Sequence, residues 1–283
     1  MTRTITELGP REVAFLATLS SSGHSLFTVD DAAEFWGGNK YAREKLALLE
    51  TKGWVDRLEK SSYMVVPLQA GVDRIWSEDA LAVGTFLTPE GAAAYWTAVR
   101  HWNWTTQLPS VVTFVTPRRK YNMSPVVLGV RYRFVLVKQE RLFGIFRTHE
   151  GDLQVNVTDR EQTILDMMDR TDLCGGIAEV AEALRSGWSE CDHARLLDYA
   201  RRRSNGTIPK RLGFLLEHTE LHPPAGFLDR LQTLMGAGMS DLDRGGPKSG
   251  RYVRRWRMRV NASGFDTTLG DGATFAGDTP SSS

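Results

Sequence analysis

Asn39, Lys40, Tyr41, Arg43, Glu44 and Lys45 gather amide, phenol, cations and one carboxylate into seven residues. They open a run in which Ala42, Leu46 and Leu49 recur at i, i+4 and i+7, the spacing of one buried helical face. Such a helix keeps its polar side chains outside, and their chemistry is recognition: a guanidinium or amide can fork onto a base edge, and an ammonium or hydroxyl can bond a phosphate. A second group, Lys60, Ser61, Ser62 and Tyr63, lies at the polar turn between two β-prone runs, WVDRLE and YMVVP. Both groups are candidate DNA contacts.

Catalytic constellations are not found. Glu161 and Asp166 are five apart, which is not a same-face helical spacing, and Asp166 with Asp169 reads as a solvated pair. His218 and His222 flank Thr-Glu-Leu and precede Pro223-Pro224, which matches neither HExxH nor HxxEH. There is no phosphate-binding glycine loop, and the one Glu-x-Lys, Glu50 to Lys52, closes the candidate reading helix. Cys174 and Cys191 lack metal-ligand spacing and are expected to be buried thiols. No catalytic residue, metal or cofactor is expected, and the chain is read as a non-enzyme.

Charge is divided unevenly. The first 67 residues hold eight Lys plus Arg and nine Asp plus Glu, so attraction for an anionic partner must come from local placement. Residues 68–261 hold 27 cations against 22 acids. Arg118, Arg119 and Lys120 follow a strand, Arg201, Arg202 and Arg203 end a helix, Lys210 and Arg211 open the next, and Arg251, Arg254, Arg255, Arg257 and Arg259 line a final strand. Each cluster has a structural reading, as a helix-dipole partner or a protected sheet edge. Arg118, Arg119, Lys120, Lys210 and Arg211 together are expected to form a secondary basic surface.

The elements that position these residues follow from caps and periodicity. Thr28 with Asp31 makes a capping box before a short amphipathic helix, Gly37-Gly38 breaks it, and Asn39 caps the next. Gly53 stops that helix, and the two β-prone runs form a wing. A helix at roughly 11–20, after Pro10, completes a winged helix-turn-helix in residues 1–67. A linker at 68–75 leads to a mixed α/β domain at 76–261, with strands first (VVTFVT, VRYRFVLV, LFGIFR, LQVNV) and helices after. LAVGTFL and a helix-like TPEGAAAYWTAVRHW precede the strands. Helices are expected in 159–170, 175–187, 194–203, 208–219 and 227–236, with a Thr158–Glu161 capping box and Pro209 at N1. RYVRRWRMRVN is expected to return to the sheet, and 262–283 to be a flexible acidic tail in which Phe265 or Phe275 can dock. At 283 residues and 41% hydrophobic content the chain can bury a sizeable core. It has no apolar run long enough for a membrane span and no secretory signal, which implies the cytoplasm.

Several motifs resemble the AbiEi family of antitoxins from abortive-infection, type IV toxin–antitoxin systems. They are the N-terminal winged helix, the Thr-Pro-Arg-Arg-Lys loop after VVTFVT, VTDREQTILDMMD, the CGG-I-E-V-AEAL helix, the LLDYARRR…IPKRLGFLLE pair with Gly213 inside a helix, and the closing RRWRMRVN. Gln162 stands where the family often has Arg. The resemblance implies an antitoxin whose N-terminal domain binds inverted repeats in its own promoter, in more than one copy. It also implies a C-terminal domain that counters a nucleotidyltransferase-like toxin without a stable complex. The alternative is a stand-alone winged-helix regulator whose C-terminal domain senses a ligand or another protein.

Overall fold

The computed structural model describes residues 7–66, 80–150 and 153–265. The fold is mixed α/β, with three sheets among the described residues. Packing divides the chain into two units, Met1–Ala98 with Leu108–Asp159, and Val99–Gln107 with Arg160–Ser283. The expected linker at 68–75 lies outside the described residues.

The first unit opens with α1 (Pro10–Ser21), β1 (Leu26–Thr28), α2 (Val29–Trp36), α3 (Asn39–Thr51), β2 (Val55–Glu59) and β3 (Ser62–Val65). Pro10 takes the first helical position, where no backbone donor is needed. The Thr28–Asp31 capping box forms: the Asp31 N–H donates to Thr28 Oγ1 at 3.2 Å, and the Thr28 N–H donates to Asp31 Oδ2 at 2.6 Å. Gly37 and Gly38 have φ of 85° and 138°, a reversal that L side chains rarely adopt. The N-cap of α3 is Gly38 and not Asn39, which is its first helical residue, so no side chain caps this helix.

The three strands pair antiparallel in the order β1-β3-β2. The pleat alternates their faces. Phe27 and Tyr63 face a core with Phe15, Ala32, Trp36, Leu46 and Leu49. Leu26, Leu58 and Met64 turn the other way and share a second core with Val83, Phe114, Phe134, Val155 and Val157.

That second core belongs to α4 (Ala80–Leu87), β4 (Ala92–Ala93), β5 (Val112–Thr116), β6 (Val126–Val127), β7 (Val130–Leu136), β8 (Ile145–Glu150) and β9 (Leu153–Thr158), with α5 (Trp96–His101) between β4 and β5. The mixed sheet runs β6-β7-β5-β4-β9-β8. On β7 Arg131 and Arg133 are exposed while Tyr132 and Phe134 are buried, the alternation the sequence shows. The helix expected across TPEGAAAYWTAVRHW forms only at its end. Ala92 and Ala93 pair instead with Val115 and Phe114, and a Cβ at Gly91 would stand 2.2 Å from the Val115 carbonyl oxygen. Close sheet pairing overrides alanine's helical propensity there.

The second unit contains the five expected helices, α6 (Arg160–Asp169), α7 (Ile177–Gly187), α8 (His193–Arg203), α9 (Thr207–His218) and α10 (Phe227–Thr233). In α9 every residue from Ile208 to Leu216 is buried. Gly213 lies against Trp256 so closely that a Cβ would stand 2.1 Å from the indole, whose N–H donates to Glu217 at 2.7 Å. Three expectations are corrected. RYVRRWRMRVN does not rejoin the large sheet but forms a hairpin, β11 (Arg251–Val253) and β12 (Met258–Val260), paired with β10 (Ser240–Asp241). The Glu161 carboxylate does not serve the start of its own helix: it accepts the Asp192 N–H at 2.7 Å and Arg195 Nε at 3.0 Å. Pro209 is the third residue of α9, still in the turn whose N–H groups lack helical acceptors. Among the described residues no helix is long and apolar enough to cross a membrane.

Candidate nucleic-acid interface

Helix α3 buries Ala42, Leu46 and Leu49 and leaves Asn39, Lys40, Tyr41, Arg43 and Glu44 exposed, with Lys45 half-buried. The Gly37-Gly38 reversal opens a cleft of about 480 Å³ beside its first turn, lined by Gly37, Gly38, Asn39, Lys40, Tyr41 and Glu44. Lys60 and Ser61 are exposed at the tip of the β2–β3 hairpin. Arg57 braces that tip, donating to the Glu59 and Lys60 carbonyls at 3.2 Å each. Ser62 and Tyr63 are not part of the exposed group. Both are buried, and Tyr63 pairs with Phe27 across the strands and stacks on it at 6.0 Å, because the pleat turns it to the core.

Charge pairing separates the cations of this region into two kinds. Lys52 is tied to Glu12 at 2.6 Å. Burial opposes ionisation of Glu12, but the Lys52 and Gly9 hydrogen bonds hold its carboxyl below the ordinary range. Lys40, Arg43 and Lys60 have no carboxylate partner among the described residues, and each is exposed. Lys45 lies 5.2 Å from the Tyr41 ring centroid and 6.0 Å from that of Trp36, and Arg11 of α1 lies 5.4 Å from the Trp36 centroid. Sequence reasoning missed Arg11 and Trp36. Arg11 carries no spacing signal, and Trp36 reads as an ordinary core residue.

The expected secondary basic surface does not survive as a group. Arg118 and Arg119 are exposed, with Arg118 paired to Glu90 at 2.5 Å. Lys120 is committed inward, donating to Glu59 at 3.1 Å and the Leu87 carbonyl at 2.6 Å over the face of Phe134. Lys210 and Arg211 are 2% and 4% exposed. Lys210 donates to the Gly238 carbonyl and to Ser240 Oγ, and Arg211 to the Met168 and Asp241 carbonyls. Burial lowers both pKa values, and Arg257 adds to the effect on Lys210. They hold backbone inside the second unit and cannot form a surface.

Asp166 and Asp169 are likewise not a solvated pair. Asp166 is 1% exposed, and its Oδ1 accepts from Gln162 Nε2 and Arg203 Nη1, both at 3.1 Å. Arg203 Nη2 reaches Asp169 at 2.8 Å, as does Asn205. Burial pushes the Asp166 carboxyl up to about 7 against the attraction of Arg203, and Asp169 pushes it the same way. Cys174 and Cys191 are buried thiols, as expected. Among the described residues no group of three or more His, Cys, Asp or Glu is placed to hold a metal ion.

No protein-family model matches this sequence, and no curated protein does. A solved structure does match, the RV2827C protein from Mycobacterium tuberculosis, with a TM-score of 0.59 at 12% identity over 90% of this chain and 93% of that one. The two chains are therefore similar in fold along nearly their whole lengths.

Proposed function

We propose that residues 1–67 are a winged helix-turn-helix that reads duplex DNA, with α3 as recognition helix and the β2–β3 hairpin as wing, in a cytoplasmic antitoxin of AbiEi type. In this reading α3 enters the major groove by its first turn, where Asn39, Lys40, Tyr41 and Arg43 meet base edges, and Lys60 meets a phosphate. The observation that carries it is the set of exposed cations at Lys40, Arg43 and Lys60, which have no carboxylate partner among the described residues, whereas Lys52 and Lys120 do. The order helix, strand, helix, helix, strand, strand supports it.

The antitoxin half rests on the sequence resemblance: repression of its own promoter, and relief from a nucleotidyltransferase-like toxin without a stable complex. Two measurements test the halves separately. Duplexes from the chain's own promoter should bind more tightly than random duplexes of equal length; equal affinity would overturn the reader. Co-expression with the adjacent downstream gene should restore growth that this gene alone arrests, and failure of rescue would leave a DNA-binding regulator only.

A further inference from the structure

Trp36, the last residue of α2, is 4% exposed, yet two cations from different helices lie against its ring: Arg11 from α1 at 5.4 Å and Lys45 from α3 at 6.0 Å. Both charges are held to one centroid, so they lie within about 11 Å of each other. Neither has a carboxylate partner among the described residues. Tyr41 meets the same indole edge-on at 6.1 Å and takes Lys45 at 5.2 Å from its own ring. The indole N–H is buried and has no acceptor among the described residues. Arg11 is exposed and Lys45 half-buried, so both charges are open to an anion at this surface.

We propose that Arg11 and Lys45, seated on Trp36, form a clamp for the DNA backbone, binding phosphates that flank the bases read by α3. This rests on the reading of α3 as a DNA-recognition helix and adds α1 to the interface. The aromatic floor restricts both side chains before DNA arrives, so less conformational freedom is lost on binding. Glu44 and the paired Glu12 are the nearby acids. Glu44 lines the cleft beside Tyr41, and Glu12 is ion-paired with Lys52 and feels Lys45 only through space, so neither forms an ion pair that closes the clamp. Trp36 is a positioning residue here, and the contacts to phosphate are made by the two cations.

The test is the salt dependence of binding by the full chain, using its promoter duplex and a random duplex. Arg11→Gln and Lys45→Gln should each weaken both duplexes alike and reduce the slope of log affinity against log salt by about 0.9, and the double variant by about twice that. Trp36→Phe, which keeps a ring but a smaller one, should weaken both duplexes with little change in slope, because the charges remain. Thermal melting of each variant separates loss of the clamp from loss of the fold. Folded Arg11 and Lys45 variants with unchanged slopes would overturn the clamp while leaving the α3 reading intact, provided that Arg43→Ala still loses promoter preference. A wild-type chain that binds neither duplex would overturn both.

Discussion

Arg43 and Asp166 are the residues whose environments make the sharpest predictions. Arg43 is exposed on α3 and has no carboxylate partner among the described residues. If it forks onto a guanine, Arg43→Ala should cost about 1–3 kcal/mol on promoter DNA and little on random DNA. Lys60→Ala should instead weaken both and lower the salt slope by about one. Equal losses on both duplexes for Arg43→Ala, in parallel titrations, would make it a phosphate anchor. Asp166 predicts a pH effect. Its folded pKa of about 7 lies above the ordinary 3.8, so between these values the folded chain keeps a proton that the unfolded chain has released. The contribution of this group to stability therefore falls as pH rises from about 4 to 7, and the whole penalty stands above 7. Asp166→Asn should flatten that part of the profile in urea melts at pH 5 and pH 8, while Arg203 keeps Asp169 as its ion-pair partner. An unchanged difference between the two pH values would show that Asp166 is ionised throughout.

Helix α9 illustrates how an element's packing reverses its local preference. Alanine is favoured over glycine in a helix interior by about 1 kcal/mol. At Gly213, however, a Cβ would lie 2.1 Å from the Trp256 ring, which is itself fully buried and tied to Glu217. Gly213→Ala should therefore destabilise by about 1–3 kcal/mol, with the midpoint of urea unfolding lowered. A neutral or stabilising effect would mean that the β11–β12 hairpin carrying Trp256 moves away at little cost. The segment from α1 to β3 has a similar dependence. Its Thr28–Asp31 box and its glycines read correctly from sequence, whereas the cap of α3 falls on Gly38 and the inward turn of Ser62 and Tyr63 depends on strand register, because a shift of one residue exchanges the faces.

Two consequences belong to the whole molecule. Residues 1–67 supply Leu26, Leu58 and Met64 to the core that also holds Phe114 and Phe134. Deleting them should expose apolar surface, lower the melting temperature and lessen any rescue the body gives, which differential scanning calorimetry beside the growth assay would register. Of the expected tail, the described part ends with Phe265, which is 5% exposed and packs against His218 at 4.8 Å and Phe214 at 6.4 Å. Truncation before Ala262 should lower the melting temperature by several degrees, and truncation after Phe265 should lower it much less. Equal effects would place the stabilising contact beyond Phe265.

By itself the sequence determined what local rules govern. The Thr28–Asp31 box, the Gly37-Gly38 break, the α3 stripe, the alternation on β7 and the five helices of the second unit each depend on residues a few positions apart. The exposed half of the candidate interface, Asn39, Lys40, Tyr41, Arg43 and Glu44 with Lys60 and Ser61, follows from the same periodicities. Only the tertiary structure decided where charge is neutralised or buried. Lys210, Arg211, Asp166 and Arg203 look like surface charges in sequence, because their partners stand 28 to 43 residues away. Arg11 joins Lys45 at Trp36 only because α1, α2 and α3 pack together. Ion pairing and desolvation act through space, and composition does not record which charges meet.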